Sequence, residues 1–356
     1  MLKILPNLLK KYAISNPMVI TDKGLVRLGI IERLDIKSPT VFDQVETNPT
    51  EAMALEALKV YRKSNCDGIV AIGGGSPIDL AKCVCILVNH PPPLEQYAIR
   101  LGGISRITSN MPPLIAVPTT AGSGSEVGRA ALLTLSGREK VGFLSDHLLP
   151  AATICDPELT LEMPPLLTAG TGMDALSHCV ETFCSPRYNP IADAIALDGL
   201  ERGYSNIIMA TRNGTDRQAR AEMMMCSLQG GLAFQKSLGA VHSLSHPLGA
   251  LSEKRLHHGT LNAIFLPFVL RYNFVYCKEK MQTIARRLEI KDVSTLPDKF
   301  AQLNHELGLP SRLRELGLTK KDLDPLAEKA KEDHCTPTNP RPLQVEDFRQ
   351  LYLEAW

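Results

Sequence analysis

The chain has 356 residues, 39 Lys and Arg against 38 Asp and Glu, and only 5% aromatic residues. That length is compatible with two domains. A net charge of +1 with so few aromatic rings argues against a surface built for nucleic acid or an anionic membrane.

The opening segment, MLKILPNLLKKYAISNP, is interrupted by Lys and Pro and has no small-residue cleavage site, so it does not read as a secretory signal. Residues 17–21 (PMVIT) read as a strand, 24–34 as a helix and 38–45 as a second strand-like run. Residues 49–65 are helix-periodic, with Asn48 and Thr50 as candidate caps. CDGIVAIGGGS is a buried strand feeding a glycine loop, and a helix follows over 77–88. PLIAVPTTAGSGSE repeats the pattern, an apolar strand ending in a polar, glycine-rich loop. Strands alternating with helices imply a mostly parallel sheet covered on both faces. After about Pro157 the character changes to long amphipathic helical patterns over 160–183, 191–210 and 216–235, then 320–334 and 345–356. The expected organisation is an α/β nucleotide-binding domain over 1–157 and an all-α domain over 158–356. Met223–Met225 reads as core packing. No run approaches the roughly 20 uninterrupted apolar residues of a membrane span. The nine cysteines lack paired C-x-x-C spacing and read as reduced thiols of a cytoplasmic protein.

Gly73-Gly74-Gly75-Ser76 follows a strand and precedes a helix. Glycines there let the backbone approach a ligand, and a helix N-terminus offers free N–H groups to a pyrophosphate. The fingerprint G-x-G-x-x-G is absent, and a triple glycine also serves as a tight turn. The second loop, Thr119-Thr120-Ala121-Gly122-Ser123-Gly124-Ser125, ends another presumed parallel strand, where ligands of open α/β sheets collect. Asp22 ends the first strand. An acid there can bind ribose hydroxyls and repel a 2′-phosphate, favouring NAD over NADP; in TDKG it equally reads as a helix cap.

The helical half holds candidate metal ligands. Asp174 and His178 stand at i and i+4, on one face of a helix. The stretch from Val241 to His258 contains four of the nine histidines, His242, His246, His257 and His258. Two of them, His242 and His258, could close a site of one carboxylate and three imidazoles, a set suited to Fe(II) or Zn(II) rather than Ca or Mg.

From about Met18 to Trp356 the chain resembles the iron-containing (group III) alcohol dehydrogenases. The resemblance is carried by VITDKGL, CDGIVAIGGGSPIDLAK, PLIAVPTTAGSGSEV, residues 168–181, HSLSHPLGA, HHGTLNAIFLP and TNPRPL. It implies a two-domain, dehydroquinate-synthase-like fold and NAD(P)-dependent interconversion of small alcohols with aldehydes or ketones. It further implies metal ligation by Asp174, His178, His242 and His258. Gly74, Gly75, Ser76, Asp79, Thr119, Thr120, Ser123 and Lys140 would contact the cofactor, and His246 would lie beside the nicotinamide without binding metal. Dimers are common in the family. Two departures stand out. The stretch between HPLGA and HHG is about two residues longer than expected, which leaves His257 as a rival to His258. The N-terminus begins roughly where a strand and glycine turn should end, so the first domain is expected to be less stable.

The expected reaction is reversible hydride transfer between a carbinol carbon and NAD, with the metal polarising the substrate oxygen and His246 passing the proton. Alternatives on the same fold are a metal-independent reductase of the maleylacetate type, a lyase that uses NAD catalytically, and an inactive nucleotide-binding scaffold. Nothing in the residues selects the substrate, and Arg129 is a weak candidate for a carboxylate pocket.

Overall fold

The first half of the chain is built on short apolar runs that are buried on both faces. In the computed structural model, which describes residues 1–136, 140–251, 254 and 256–356, the strands are β1 (Pro17–Ile20), β2 (Thr40–Phe42), β3 (Gly68–Gly73), β4 (Leu114–Pro118), β5 (Ala130–Thr134), β6 (Lys140–Leu144) and β7 (Ala152–Thr153). Every residue of β1, β3 and β4 is buried, as expected of a parallel sheet covered on both sides. The sheet runs β2-β1-β3-β4-β7, and its adjacent pairs are all parallel. Strands β5 and β6 form a separate antiparallel pair with alternating burial.

The strand order reverses between β1 and β3. Ligands of open α/β sheets gather beyond the carboxyl ends of the strands at such a switch point. Here those ends carry Thr21–Asp22 and Gly73–Gly75. Helices α1 (Leu5–Lys11), α2 (Lys23–Arg27), α3 (Glu51–Lys63) and α4 (Gly75–Asn89) belong to the same unit, which comprises residues 1–120 and 125–160. The helix expected over 24–34 stops at Arg27, because the chain turns left-handed at Gly29 (φ 71°), and only a 3₁₀ turn at Glu32–Leu34 follows. Helix α1, the β5–β6 pair and the two-residue β7 were not expected from the sequence.

The second unit, residues 121–124 and 161–356, is helical. It contains α5 (Pro165–Cys184), α6 (Pro190–Arg212), α7 (Arg217–Ala233), α8 (Ala240–Gly249), α9 (His258–Asn273), α10 (Lys278–Arg287), α11 (Leu296–Glu306), α12 (Lys320–Leu323), α13 (Leu326–Glu332) and α14 (Val345–Ala355). Prolines in the first turn start α5 and α6, and the Asn189 and Asp216 side chains cap α6 and α7. Helix α5 is the centre of this unit. Every residue from Thr168 to Cys184 is buried, so the helix is wrapped on its whole circumference. Met223 and Met224 are in the core as expected, whereas Met225 is 41% exposed. All nine cysteines are unpaired, eight of them buried.

Inside the first unit lies a fully buried cation. Lys82 Nζ donates to the carbonyls of Ser125 (2.7 Å), Gly128 (2.7 Å) and Ala130 (2.8 Å). Glu126 is buried nearby, and its Oε1 has no hydrogen-bond partner among the described residues. Burial pushes the Glu126 pKa up from 4.5 to about 7. A carboxyl raised in the folded state opposes folding when ionised: the cost is absent below 4.5 and complete above 7. Glu126→Gln should therefore raise stability at pH 8, by an amount on the order of 3 kcal/mol. The gain should shrink as pH falls toward 5. Urea melts of both proteins at the two pH values check this, and equal stability at pH 8 would contradict it.

Candidate metal centre and cofactor loops

Helix α5 presents Asp174, His178 and Glu181 at i, i+4 and i+7, one face of the helix, all buried. Helix α8 supplies His242 and His246 one turn apart, and α9 begins with His258. Helix α9 can approach α5 because Gly259 has no side chain: a Cβ there would lie 2.1 Å from the Gly170 carbonyl oxygen. That approach gives the two adjacent histidines different surroundings. His258 faces Asp174, while His257 is the N-cap of α9 and its Nδ1 accepts from Thr260 N–H at 3.3 Å.

Three imidazole nitrogens converge on Asp174 Oδ1. The Nε2 atoms of His178, His258 and His242 stand 3.4, 3.6 and 3.7 Å from it. Those separations are too long for hydrogen bonds. They match the edge of a tetrahedron with roughly 2.1 Å bonds, which is about 3.4 Å. Asp174, His242 and His258 offer ligand atoms all within 4.8 Å of one another, a spacing that fits a small divalent transition metal, with His178 Nε2 beside Asp174. Asn262 Nδ2 donates to Asp174 Oδ1 at 2.7 Å and lies 3.1 Å from both His242 Nε2 and His258 Nε2, tying the three ligands together.

Electrostatics follow from that packing. Burial alone would raise the Asp174 pKa, but the imidazoles of His178, His258 and His242 hold it well below the usual carboxylate range. Burial pushes His178 down to about 4, which favours the neutral ring that ligates. His242 goes the other way, up to about 9: burial lowers it, but the carboxylates of Asp174 and Glu181 beside it outweigh that.

Behind His242 and His246 stand two further carboxylates. His242 Nδ1–H donates to Glu181 Oε2 at 2.5 Å, and Val241 N–H donates to Glu181 Oε1 at 2.7 Å. His246 Nδ1–H donates to Asp333 Oδ2 at 2.8 Å. Sequence reasoning overlooked Glu181, Asn262 and Asp333. Glu181 was visible as the next position on the ligand face of α5, and Asn262 as the residue one turn after His258. Asp333, 87 positions beyond His246, had no local signal.

In the first unit, Gly74 is the N-cap of α4 and no side chain caps the helix, so its N-terminal N–H groups face outward from the Gly73–Gly75 loop. Thr119 N–H donates to the Gly73 carbonyl at 3.0 Å, and a Cβ on Gly74 would meet Thr120 Oγ1 at 3.0 Å. Gly74, Gly75, Ser76, Thr119 and Thr120 are therefore brought together at the ends of adjacent strands, a cradle that fits a pyrophosphate. Other expected cofactor residues are engaged elsewhere. Asp79 accepts from Ser125 Oγ (2.5 Å) and Leu132 N–H (3.0 Å), and Lys140 donates to Asn48 Oδ1 (3.0 Å). Asp22 caps α2 through Leu25 N–H at 3.0 Å. Ser123 lies in the segment 121–124.

Residues 1–157 match the family model described as iron-containing alcohol dehydrogenase, and residues 168–356 match that of the C-terminal domain of the same family. The 4-hydroxybutyrate dehydrogenase of Cupriavidus necator is 47% identical, over 97% of this chain and 94% of that protein. A 1,3-propanediol oxidoreductase structure superposes with a TM-score of 0.94 at 34% identity, covering 100% of this chain and 96% of that one. Sulfoacetaldehyde reductase from Bifidobacterium kashiwanohense, solved in complex with NAD+, has a TM-score of 0.89 at 28% identity, with 99% and 94% covered.

A carboxylate behind a ligating imidazole fixes its tautomer and strengthens it as a donor, and losing it typically weakens metal binding about 10- to 100-fold. Glu181→Gln should lose Fe(II) or Zn(II) affinity by that factor in competition with a chelator while retaining its helical circular dichroism. Affinity equal to the parent's would remove Glu181 from the site.

Proposed function

Because the chain belongs to the iron-containing alcohol dehydrogenase family and is an oxidoreductase acting on CH–OH groups, we propose that it interconverts a small alcohol and its aldehyde with NAD, holding Fe(II), or Zn(II) in its place, on Asp174, His178, His242 and His258. The observation that carries this reading is the convergence of three imidazole nitrogens on Asp174 Oδ1 at 3.4–3.7 Å. When bound, the cation supplies Lewis-acid stabilisation of negative charge on the substrate oxygen, and NAD supplies the hydride acceptor.

The chain's own residues do the rest. Asp174 contributes one negative charge to the ligand set, and the buried surroundings of α5, α8 and α9 keep water away from it. The Gly74–Ser76 turn with Thr119 and Thr120 takes the pyrophosphate, supported by the uncapped start of α4. Lys140 adds a cation to the phosphates, Ser123 a hydroxyl, and Asp79 braces the second loop through Ser125. Asp22 binds the adenosine ribose and repels a 2′-phosphate, which makes NAD the preferred cofactor. His246 accepts the alcohol proton at Nε2, its Nδ1 being already committed to Asp333.

The 47% identity to a 4-hydroxybutyrate dehydrogenase supports a short ω-hydroxy acid as the substrate. Among the described residues no helix is long and apolar enough to cross a membrane. The unpaired cysteines suit a reducing compartment, and we place the protein in the cytoplasm as a homo-oligomer.

Anaerobically purified protein, stripped of metal, should reduce NAD only after Fe(II) or Zn(II) is restored, and faster with 4-hydroxybutyrate than with 1,3-propanediol. Turnover indifferent to metal would favour the metal-free reductase, and NAD binding without turnover the inactive scaffold. His246→Ala should lower kcat by about 10²- to 10⁴-fold with its metal retained. Loss of metal in that variant would make His246 a ligand instead.

A further inference from the structure

Two nearly parallel rings pack against His246. His258 lies with its ring centroid 5.4 Å away and its plane 10° off, and His334 at 5.5 Å and 12°. Stacking fixes the plane of an imidazole but leaves two things open: a half-turn of the ring about χ2, which exchanges its edges, and the choice of tautomer. The hydrogen bond from His246 Nδ1 to Asp333 Oδ2 settles both. An ionised carboxylate only accepts, so the proton sits on Nδ1 and Nε2 keeps its lone pair. Asp333 is in turn held by its own backbone surroundings. Cys335 N–H donates to its Oδ1 at 2.8 Å, and its carbonyl accepts from Thr336 N–H at 3.1 Å. The side chain is only 11% exposed.

We infer that Asp333 is the positioning residue for His246: it holds the ring in the orientation and tautomer that leave Nε2 free to take the substrate's proton. The inference rests on the reading of His246 as the group that handles that proton. It assigns a role to a carboxylate that neither ligates the metal centre nor belongs to the cofactor loops.

Asp333→Asn keeps an acceptor for Cys335 N–H but can turn an amide N–H toward His246 Nδ1, moving the ring proton to Nε2. In the metal-loaded enzyme this variant should keep its metal and lose about 10- to 1,000-fold in kcat, with KM little changed. Asp333→Glu, which restores a carboxylate, should recover part of the loss. In a His246→Ala background, adding Asp333→Asn should cost less than roughly a further twofold, because the two residues act as one unit. Losses that multiply in the double variant, or loss of metal from Asp333→Asn alone, would overturn the inference. Nitrogen-15 spectra of histidine-labelled, Zn(II)-loaded protein provide a readout that does not need activity. The parent should show His246 protonated at Nδ1, and Asp333→Asn should show it at Nε2. An Nε2–H tautomer in the parent would overturn the inference. If the parent turns over no alcohol at all, the dehydrogenase reading fails, and these spectra still decide what Asp333 does to the ring.

Discussion

The helical half of the protein is organised around one buried carboxylate. Asp174 sits in the middle of a helix whose neighbours enclose it on every side, and an isolated charge in such a place would cost many kcal/mol. Asn262 and the Nε2 atoms of His178, His242 and His258 compensate it. They come from α5 (His178), α8 (His242) and α9 (His258 and Asn262), so enclosing Asp174 fixes these three helices relative to one another. The proposed ligands are then held together by the fold itself. Gly259 follows from the same constraint, since any larger residue there would push α9 and His258 away from α5.

His242 and His246 are one turn apart on α8, both buried, and each gives its Nδ1–H to a carboxylate, the buried Glu181 or the half-buried Asp333. In each the carboxylate takes the Nδ1 edge, so the Nε2 edge is the one turned to other partners. Their surroundings separate them. His242 Nε2 is directed at the Asp174 cluster, and its ring stacks on His178 at 4.7 Å. His246 packs against His258 and His334, at the side of that cluster where His334 is 39% exposed. The same arrangement of carboxylate and imidazole therefore meets different neighbours in the two cases, which is what the proposed roles of ligand and proton acceptor rest on.

How much of this was legible in the sequence depended on how local the signal was. Asp174 and His178 were readable because helical spacing alone puts them on one face, and Glu181 obeyed the same rule unnoticed. His257 and His258 could not be told apart, because capping and packing against Gly170 separate them only once α9 meets α5. Asp333 reaches His246 through the tertiary fold, and spacing carries no trace of it. Among the strands, β1, β3 and β4 were visible as apolar runs. The order β2-β1-β3-β4-β7 was not, because periodicity says which residues form a strand and nothing about which strand lies beside which. The alternating β5 and β6, buried on one side only, gave a weaker signal still.

The GGGSPIDLAK segment divides its contacts between backbone and side chains. Its glycines act through backbone: they leave α4 uncapped and let Thr119 and Thr120 close against the turn. Its charged residues do not share that job. Asp79 and Lys82, three positions apart on α4, point to the interior, where Asp79 takes Ser125 Oγ and Leu132 N–H and Lys82 takes the carbonyls of Ser125, Gly128 and Ala130. Both grip residues 125–132, the stretch that leads from the second glycine loop into β5. Lys82 is fully buried, and a buried charge needs partners. Two charged side chains of the helix that the first loop begins thus hold the stretch that follows the second loop.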